Sequence, residues 1–217
     1  MIALSAFARG IFVQAGFDAD MIDVKPNFMP DPGEPDWTVA REGLLYVGRL
    51  SPEKGVDVLL QAAAQSGAPL RIAGDGPELA SLRAKAPGNV TFLGAVSRSE
   101  VLAEMARARA LVVPSLWYEG FPMVVVEAFA TGTPVIASEL GGLAEIVQDQ
   151  VNGALFPPGN VNLLTRKLSE ILDDRLFARR CGDSARKLFL ELYGPSENLR
   201  QLEAIYRRAK ATSVRAS

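Results

Sequence analysis

The sequence predicts an α/β fold: a parallel six-stranded sheet with helices on both faces. Three observations predict it. From residue 44 onward, short apolar runs rich in β-branched residues recur, beginning with LLYVG at 44–48. Segments with helical spacing separate each run from the next. Of the 217 residues 48% are hydrophobic and 22% charged, the balance of an ordinary folded chain. Runs that are apolar on both sides belong to covered strands, and their alternation with helices marks βαβ crossovers.

In chain order, Ser5 to Ala15 reads as a helix, Gly16 as a turn and Met21 to Lys25 as a short strand. Residues 27–42 read as a linker, because Pro30, Pro32, Gly33 and Pro35 deny both helix and ladder hydrogen bonds. LLYVG is followed by a helix from Gly55 to about Gln65, and PLRIAG at 69–74 by a helix from Pro77 to Lys85. NVTFLG at 89–94 leads to a helix over Ser99 to Ala108, and ALVVPS at 110–115 to one starting near Pro122. TPVIAS at 133–138 precedes a short helix near Leu143, and GALFPPG at 153–159 closes the series. Leu163, Leu164, Leu168 and Leu172 then space out helices within 160–191. Tyr193-Gly194-Pro195 breaks them, and a last amphipathic helix covers 196–210. A sheet wound this way binds its ligand beyond the carboxyl ends of its strands, so chemistry is expected in the loops found there.

Composition narrows that chemistry. A formal net charge of −2 leaves no basic excess for tracking phosphates, so no nucleic-acid partner is expected. Arg175, Arg179, Arg180, Arg186, Lys187, Arg200, Arg207, Arg208 and Lys210 give a late basic bias. Acidic residues interleave with them, so they read as solvated helix faces first and as a weak membrane-surface patch second. The single cysteine, Cys181, reads as a packing residue and fits a reducing, cytoplasmic compartment. No apolar run approaches the roughly eighteen residues of a membrane span. Residues 1–12 lack the basic start of a signal peptide. The absence of histidine excludes an imidazole base, a nucleophile's partner and histidine metal ligands within this chain.

Three loops carry the candidates. Gly48-Arg49-Leu50-Ser51-Pro52-Glu53-Lys54-Gly55 sets two cations about a turn that opens a helix. With the free N–H groups of that helix start, it reads as a diphosphate-sized anion site or as an exposed loop with incidental charges. Gly74-Asp75-Gly76-Pro77 begins like a dinucleotide fingerprint but lacks the third glycine, and no Gly-Lys-Ser/Thr follows; tight-turn glycines with Pro77 at a helix start are expected instead. Pro114 to Ala128 places Glu119 in a loop, Pro122 at the first helical position and Glu127 inside an apolar helix. A carboxylate there is costly to bury alone, so something polar should meet Glu127. Asp18-Ala19-Asp20 lies between a helix and a strand and reads as a surface turn, not a metal grip.

Glu119-x7-Glu127, Gly48-Arg49-Leu50 with Lys54-Gly55, Gly74-Asp75-Gly76-Pro77 and Gly141-Gly142-Leu143-Ala144-Glu145-Ile146 occur here in one order. In this the sequence resembles the retaining glycosyltransferases of family four, also called glycosyl transferases group one. The resemblance implies the C-terminal, Rossmann-like half of a GT-B fold, in which a donor domain faces an acceptor domain across a cleft. Residues 1–26 would be a remnant of the acceptor domain, 43–192 the nucleotide-sugar domain, and 193–217 the crossover helix and tail. Most of the acceptor domain would be missing from this sequence.

Carried over by position, the resemblance makes Arg49, Lys54 and Glu119 the catalytic set. The two cations would hold the donor diphosphate, and Glu119 would sit near the transferred sugar. Glu127 would accept from the ribose hydroxyls. Backbone N–H groups of Gly120, Phe121, Met123 and Val124 would meet sugar and phosphate; where the family often has glycine this chain has Pro122, which lacks that N–H. Val96 and Arg98 would lie along the base, and Gly74 would complete the donor-binding set. The implied donor is a UDP- or GDP-linked sugar, with neither cofactor nor metal. The full enzyme would then be cytoplasmic, at most weakly peripheral at the inner membrane face. Rival readings are a non-catalytic nucleotide-sugar-binding module and an epimerase or phosphorylase of related architecture. Epimerases usually rely on histidine, and no feature favours a phosphorylase.

Overall fold

The structure is a computed structural model that describes residues 1–215, with side chains as far as Ala211. A small N-terminal unit comes first: β1 (Ile2–Ala3), α1 (Ala6–Gln14) and β2 (Asp23–Val24). Its two strands pair in parallel. Then follow β3 (Leu44–Val47), α2 (Val56–Ser66), β4 (Leu70–Ala73), α3 (Leu79–Lys85), β5 (Val90–Gly94) and α4 (Arg98–Arg107). The second half holds β6 (Ala110–Val113), α5 (Met123–Ala130), β7 (Val135–Ser138), α6 (Gly141–Ile146) and β8 (Gly153–Phe156). Three helices end the chain: α7 (Val161–Asp173), α8 (Arg175–Leu192) and α9 (Pro195–Arg215).

All six strands expected from residue 44 onward form, in the order β5-β4-β3-β6-β7-β8 and all parallel. The order reverses between β3 and β6, which makes their carboxyl ends the crevice where such sheets bind ligands. Period-two alternation sorts the core onto two faces. Leu44, Tyr46, Leu70, Ile72, Val112 and Phe156 join Leu59, Leu164 and Leu168 on one face. Leu45, Leu111, Val113, Val135 and Ala137 join Val125, Phe129 and Phe189 on the other. Cys181 is buried, as expected of a packing residue, and its thiol is pushed up to about 11, chiefly by that burial.

Several details depart from the sequence reading. β1 was not expected, and the strand expected over Met21 to Lys25 is only Asp23–Val24, with Met21 closing a 3₁₀ turn. Pro77 precedes the helix instead of starting it, since α3 opens after Glu78. Pro122 is the residue before α5, extended at ψ 93°. The last helix runs past residue 210 to Arg215. Arg186 is not on a solvated face: its side chain is 7% exposed, pairs with Asp31 at 2.7 Å and donates to the Ala130 carbonyl at 2.9 Å. It straps the proline-rich segment onto α8, where Met29 is also buried. The Asp18–Asp20 motif is the surface turn expected, Asp18 accepting from the Asp20 N–H.

Candidate functional site

The loops after β3, β4 and β6 meet backbone to backbone, and glycines allow it. Gly55 has φ +64°, and a Cβ there would run into the Pro114 carbonyl; one on Gly74 would run into that of Gly48. The Leu116 N–H then donates to the Glu53 carbonyl at 2.8 Å, joining the loops across the strand-order reversal. Buried Tyr46 donates its hydroxyl to the Arg49 carbonyl at 2.9 Å, which fixes the first loop from beneath. Burial, and then the nearby Glu119 and Glu53 carboxylates, push that phenol above its ordinary pKa, so it stays a neutral donor.

Around this junction the functional side chains converge. The Lys54 ammonium and a Glu119 carboxylate oxygen lie 2.7 Å apart, and the buried Ser115 hydroxyl donates to the same oxygen at 2.7 Å. Arg49 is exposed and enters no ion pair among the described residues. Opposite them α5 begins with Met123 and Val124, whose N–H groups open a helix without a side-chain cap. A helix start of this kind carries positive potential and free donors. A cavity of about 290 Å³ lies among Tyr46, Gly48, Arg49, Lys54, Ser115, Glu119, Phe121, Pro122, Met123 and Val124. A second, of about 250 Å³, continues from Gly48 and Arg49 past Gly74 and Asp75 to Ala95 and Val96. Two cations and a helix start at one end, with a less charged recess at the other, suit an elongated anionic ligand.

The family model for glycosyl transferases group 1 matches residues 35–188. The chain belongs to that family. It is 34% identical over 173 residues to an exopolysaccharide phosphotransferase of Streptomyces coelicolor, covering 75% of this chain and 18% of that protein. It is 38% identical over 154 residues to a glycogen synthase of Mycobacterium tuberculosis, covering 66% of this chain and 37% of that one. Among solved structures, HepE of Anabaena in complex with UDP and glucose superposes with a TM-score of 0.84 at 26% identity. That match covers 94% of this chain and 62% of HepE. The chain thus spans less than two thirds of each of these proteins. The doubly wound sheet is the Rossmann-like GT-B architecture implied by the resemblance.

Within this glycosyl transferase domain the structure gathers most of the expected residues. Arg49, Lys54, Glu119, Phe121, Met123 and Val124 share the first cavity, and Gly74 and Val96 line the second. Gly120 lies exposed in the loop between. Arg98 belongs to α4 as its first residue and reaches Glu127, its Nε lying 3.4 Å from the Glu127 carboxylate. Glu127 therefore has a polar partner within the chain, although Arg98 is largely solvent-exposed and the carboxylate is not. Burial raises the Glu127 pKa, and Arg98 opposes that rise. Ser115 and Tyr46 were missed. A strand-end serine and a tyrosine inside an apolar run carry no signal until the fold places them beside Glu119 and Arg49. Among the described residues, no three His, Cys, Asp or Glu side chains group as metal ligands. No described helix is long and apolar enough to cross a membrane.

Proposed function

We propose that this chain is the donor-binding domain of a retaining glycosyltransferase that takes its sugar from a UDP- or GDP-linked donor. One observation carries the reading: Arg49, Lys54 and Glu119 converge beside the start of α5, where the strand order reverses. Residues 43–192 would hold the donor, 27–42 would link the domains, and 1–26 would belong to the acceptor domain. Residues 193–217 would make the crossover. The acceptor is a glycan or lipid-linked glycan, and the enzyme works in the cytoplasm, at most weakly peripheral to the inner membrane face.

Arg49 and Lys54 neutralise the diphosphate as it gathers charge on leaving, the kind of preorganised electrostatic assistance that lowers such barriers most. The bond from the anomeric carbon to the β-phosphate oxygen breaks, and the acceptor oxygen bonds to that carbon on the same face. The acceptor's proton passes to the departing phosphate oxygen, so no histidine base is needed. Glu119 faces the sugar and holds Lys54 in place; Glu127 accepts from the ribose hydroxyls. Calorimetry with UDP and GDP, with and without EDTA, tests the reading. One of the two should bind, unchanged by the chelator; binding that disappears with EDTA, or no binding of either, overturns it.

A further inference from the structure

A third cavity, of about 210 Å³, opens at the opposite end of the sheet. It lies at the amino ends of the strands, where Arg41, Arg109 and Gly132 precede β3, β6 and β7. Four guanidinium groups line it: Arg41, Arg109, Arg175 and Arg179. Trp37 sits between two of them, with Arg41 4.4 Å and Arg179 3.7 Å from the ring centroid. The indole is held against Gly132, where a Cβ would meet its ring carbons at 2.8 Å.

The charges here are poorly balanced. Arg41 spends both terminal nitrogens on Thr131, Gly132 and Thr133, and its buried Nε has no hydrogen-bond partner among the described residues. Arg109 is 9% exposed and gives Nε and one terminal nitrogen to the Arg41 and Leu172 carbonyls. Its other terminal nitrogen makes no hydrogen bond among the described residues. Arg175, exposed at the start of α8, makes no hydrogen bond or ion pair among the described residues. Of the four, Arg179 alone has a carboxylate in contact among the described residues, Asp183 at 2.9 Å. Glu42 and Asp183 act on Arg109 and Arg41 from farther away. Repulsion from Arg175 and Arg179 adds to burial in lowering the pKa values of Arg109 and Arg41, the latter to about 10. The Asp174 carboxylate already caps the start of α8, so it is the like charges converging on one cavity that fit an anion.

We propose that this cavity is a second anion site, separate from the donor loops, that takes the phosphate dianion of a small phosphate compound. Arg175 and the free nitrogen of Arg109 grip the phosphate oxygens, and the Trp37–Arg179 stack forms the wall.

The chain has two tryptophans, Trp37 and Trp117, so Trp117→Phe leaves an indole only at this cavity. In that background, Trp37 emission and calorimetry follow titration with inorganic phosphate and with glycerol 3-phosphate, at ionic strength held constant with sodium chloride. A saturable signal is expected, and tighter binding of the ester assigns the site to a phosphorylated metabolite instead of free phosphate. Arg175→Glu should weaken it roughly tenfold or more, the scale of one charged hydrogen bond, and Arg175→Lys should retain part of the affinity. Arg49→Glu at the donor loops should leave it unchanged. Absence of saturable binding by both methods, an affinity indifferent to Arg175→Glu, or one abolished by Arg49→Glu overturns the site.

Discussion

Glu119 and Glu127 stand eight residues apart and meet different surroundings, and this separates what each should do. Glu119 already holds Lys54 at 2.7 Å, so it competes with a diphosphate for that cation. Glu119→Gln should leave bare nucleoside diphosphate affinity equal or higher, yet remove the extra affinity contributed by the sugar. Among the described residues Glu127 pairs only with largely exposed Arg98, at 3.4 Å. Loss of a charged hydrogen bond to a ribose hydroxyl costs about 1.5–3 kcal/mol, so Glu127→Gln should weaken the diphosphate roughly ten- to a hundredfold. The same substitution should not lower the stability of the unliganded protein at pH 7. Burial holds the folded pKa of Glu127 above its ordinary value of 4.5. Folding therefore disfavours the ionised form; the cost is absent below the unfolded pKa and grows as pH rises through the folded one. Thermal melts from pH 4 to 7 should show wild type losing ground to Glu127→Gln with rising pH. A variant melting well below wild type at pH 7, with unaltered nucleotide affinity, would make Glu127 a packing residue. The sequence marked both carboxylates as candidates, but not the Lys54–Glu119 and Arg98–Glu127 pairs, which join residues 65 and 29 positions apart.

At the scale of elements, legibility followed length and period. The strands from β3 to β8 announce themselves because each is an apolar run flanked by turn residues. β1 and β2 are two residues long, too short for a period to register. The segment 27–42 carries no helix or strand, in keeping with its prolines, but its attachment to α8 is not visible in the sequence. Arg186 looks like any other basic residue of an amphipathic helix until the fold buries it. Its partner Asp31 is 41% exposed, so the pair stabilises less than a fully buried one would. Arg186→Met should therefore cost about 1.5–3 kcal/mol in urea unfolding, the range for hydrogen bonds to a charged group. It should also speed proteolysis within 27–42. Lys187→Ala, which removes an exposed ion pair at 3.9 Å, should change neither. Equal effects from the two substitutions would show that the strap contributes nothing beyond a surface pair.

Over the whole molecule, the candidate site sits on one unit and a smaller unit packs beside it. The donor loops, both cavities beside them and the start of α5 all belong to the six-stranded unit. Beside them packs the β1–α1–β2 unit, tied on by Glu145, whose carboxylate accepts from the Ala6 and Phe7 N–H groups at 2.9 Å each. Its other surfaces expose the apolar side chains Ile11, Phe12, Phe17 and Met21. Binding a donor needs the six-stranded unit; directing the sugar to an acceptor hydroxyl needs an acceptor domain as well, because transfer depends on holding two reactants in register. The purified chain should therefore bind the nucleotide sugar, release sugar slowly to water and glycosylate no acceptor. Transfer should appear only when an acceptor domain is supplied. Labelled donor, followed for both free sugar and glycosylated product, measures the two outcomes side by side. Efficient glycosylation by this chain alone would mean that residues 1–26 and the exposed loop at Trp117 and Tyr118 already suffice as an acceptor site. Donor binding with no release of sugar under either condition would instead mark a binding module without catalysis.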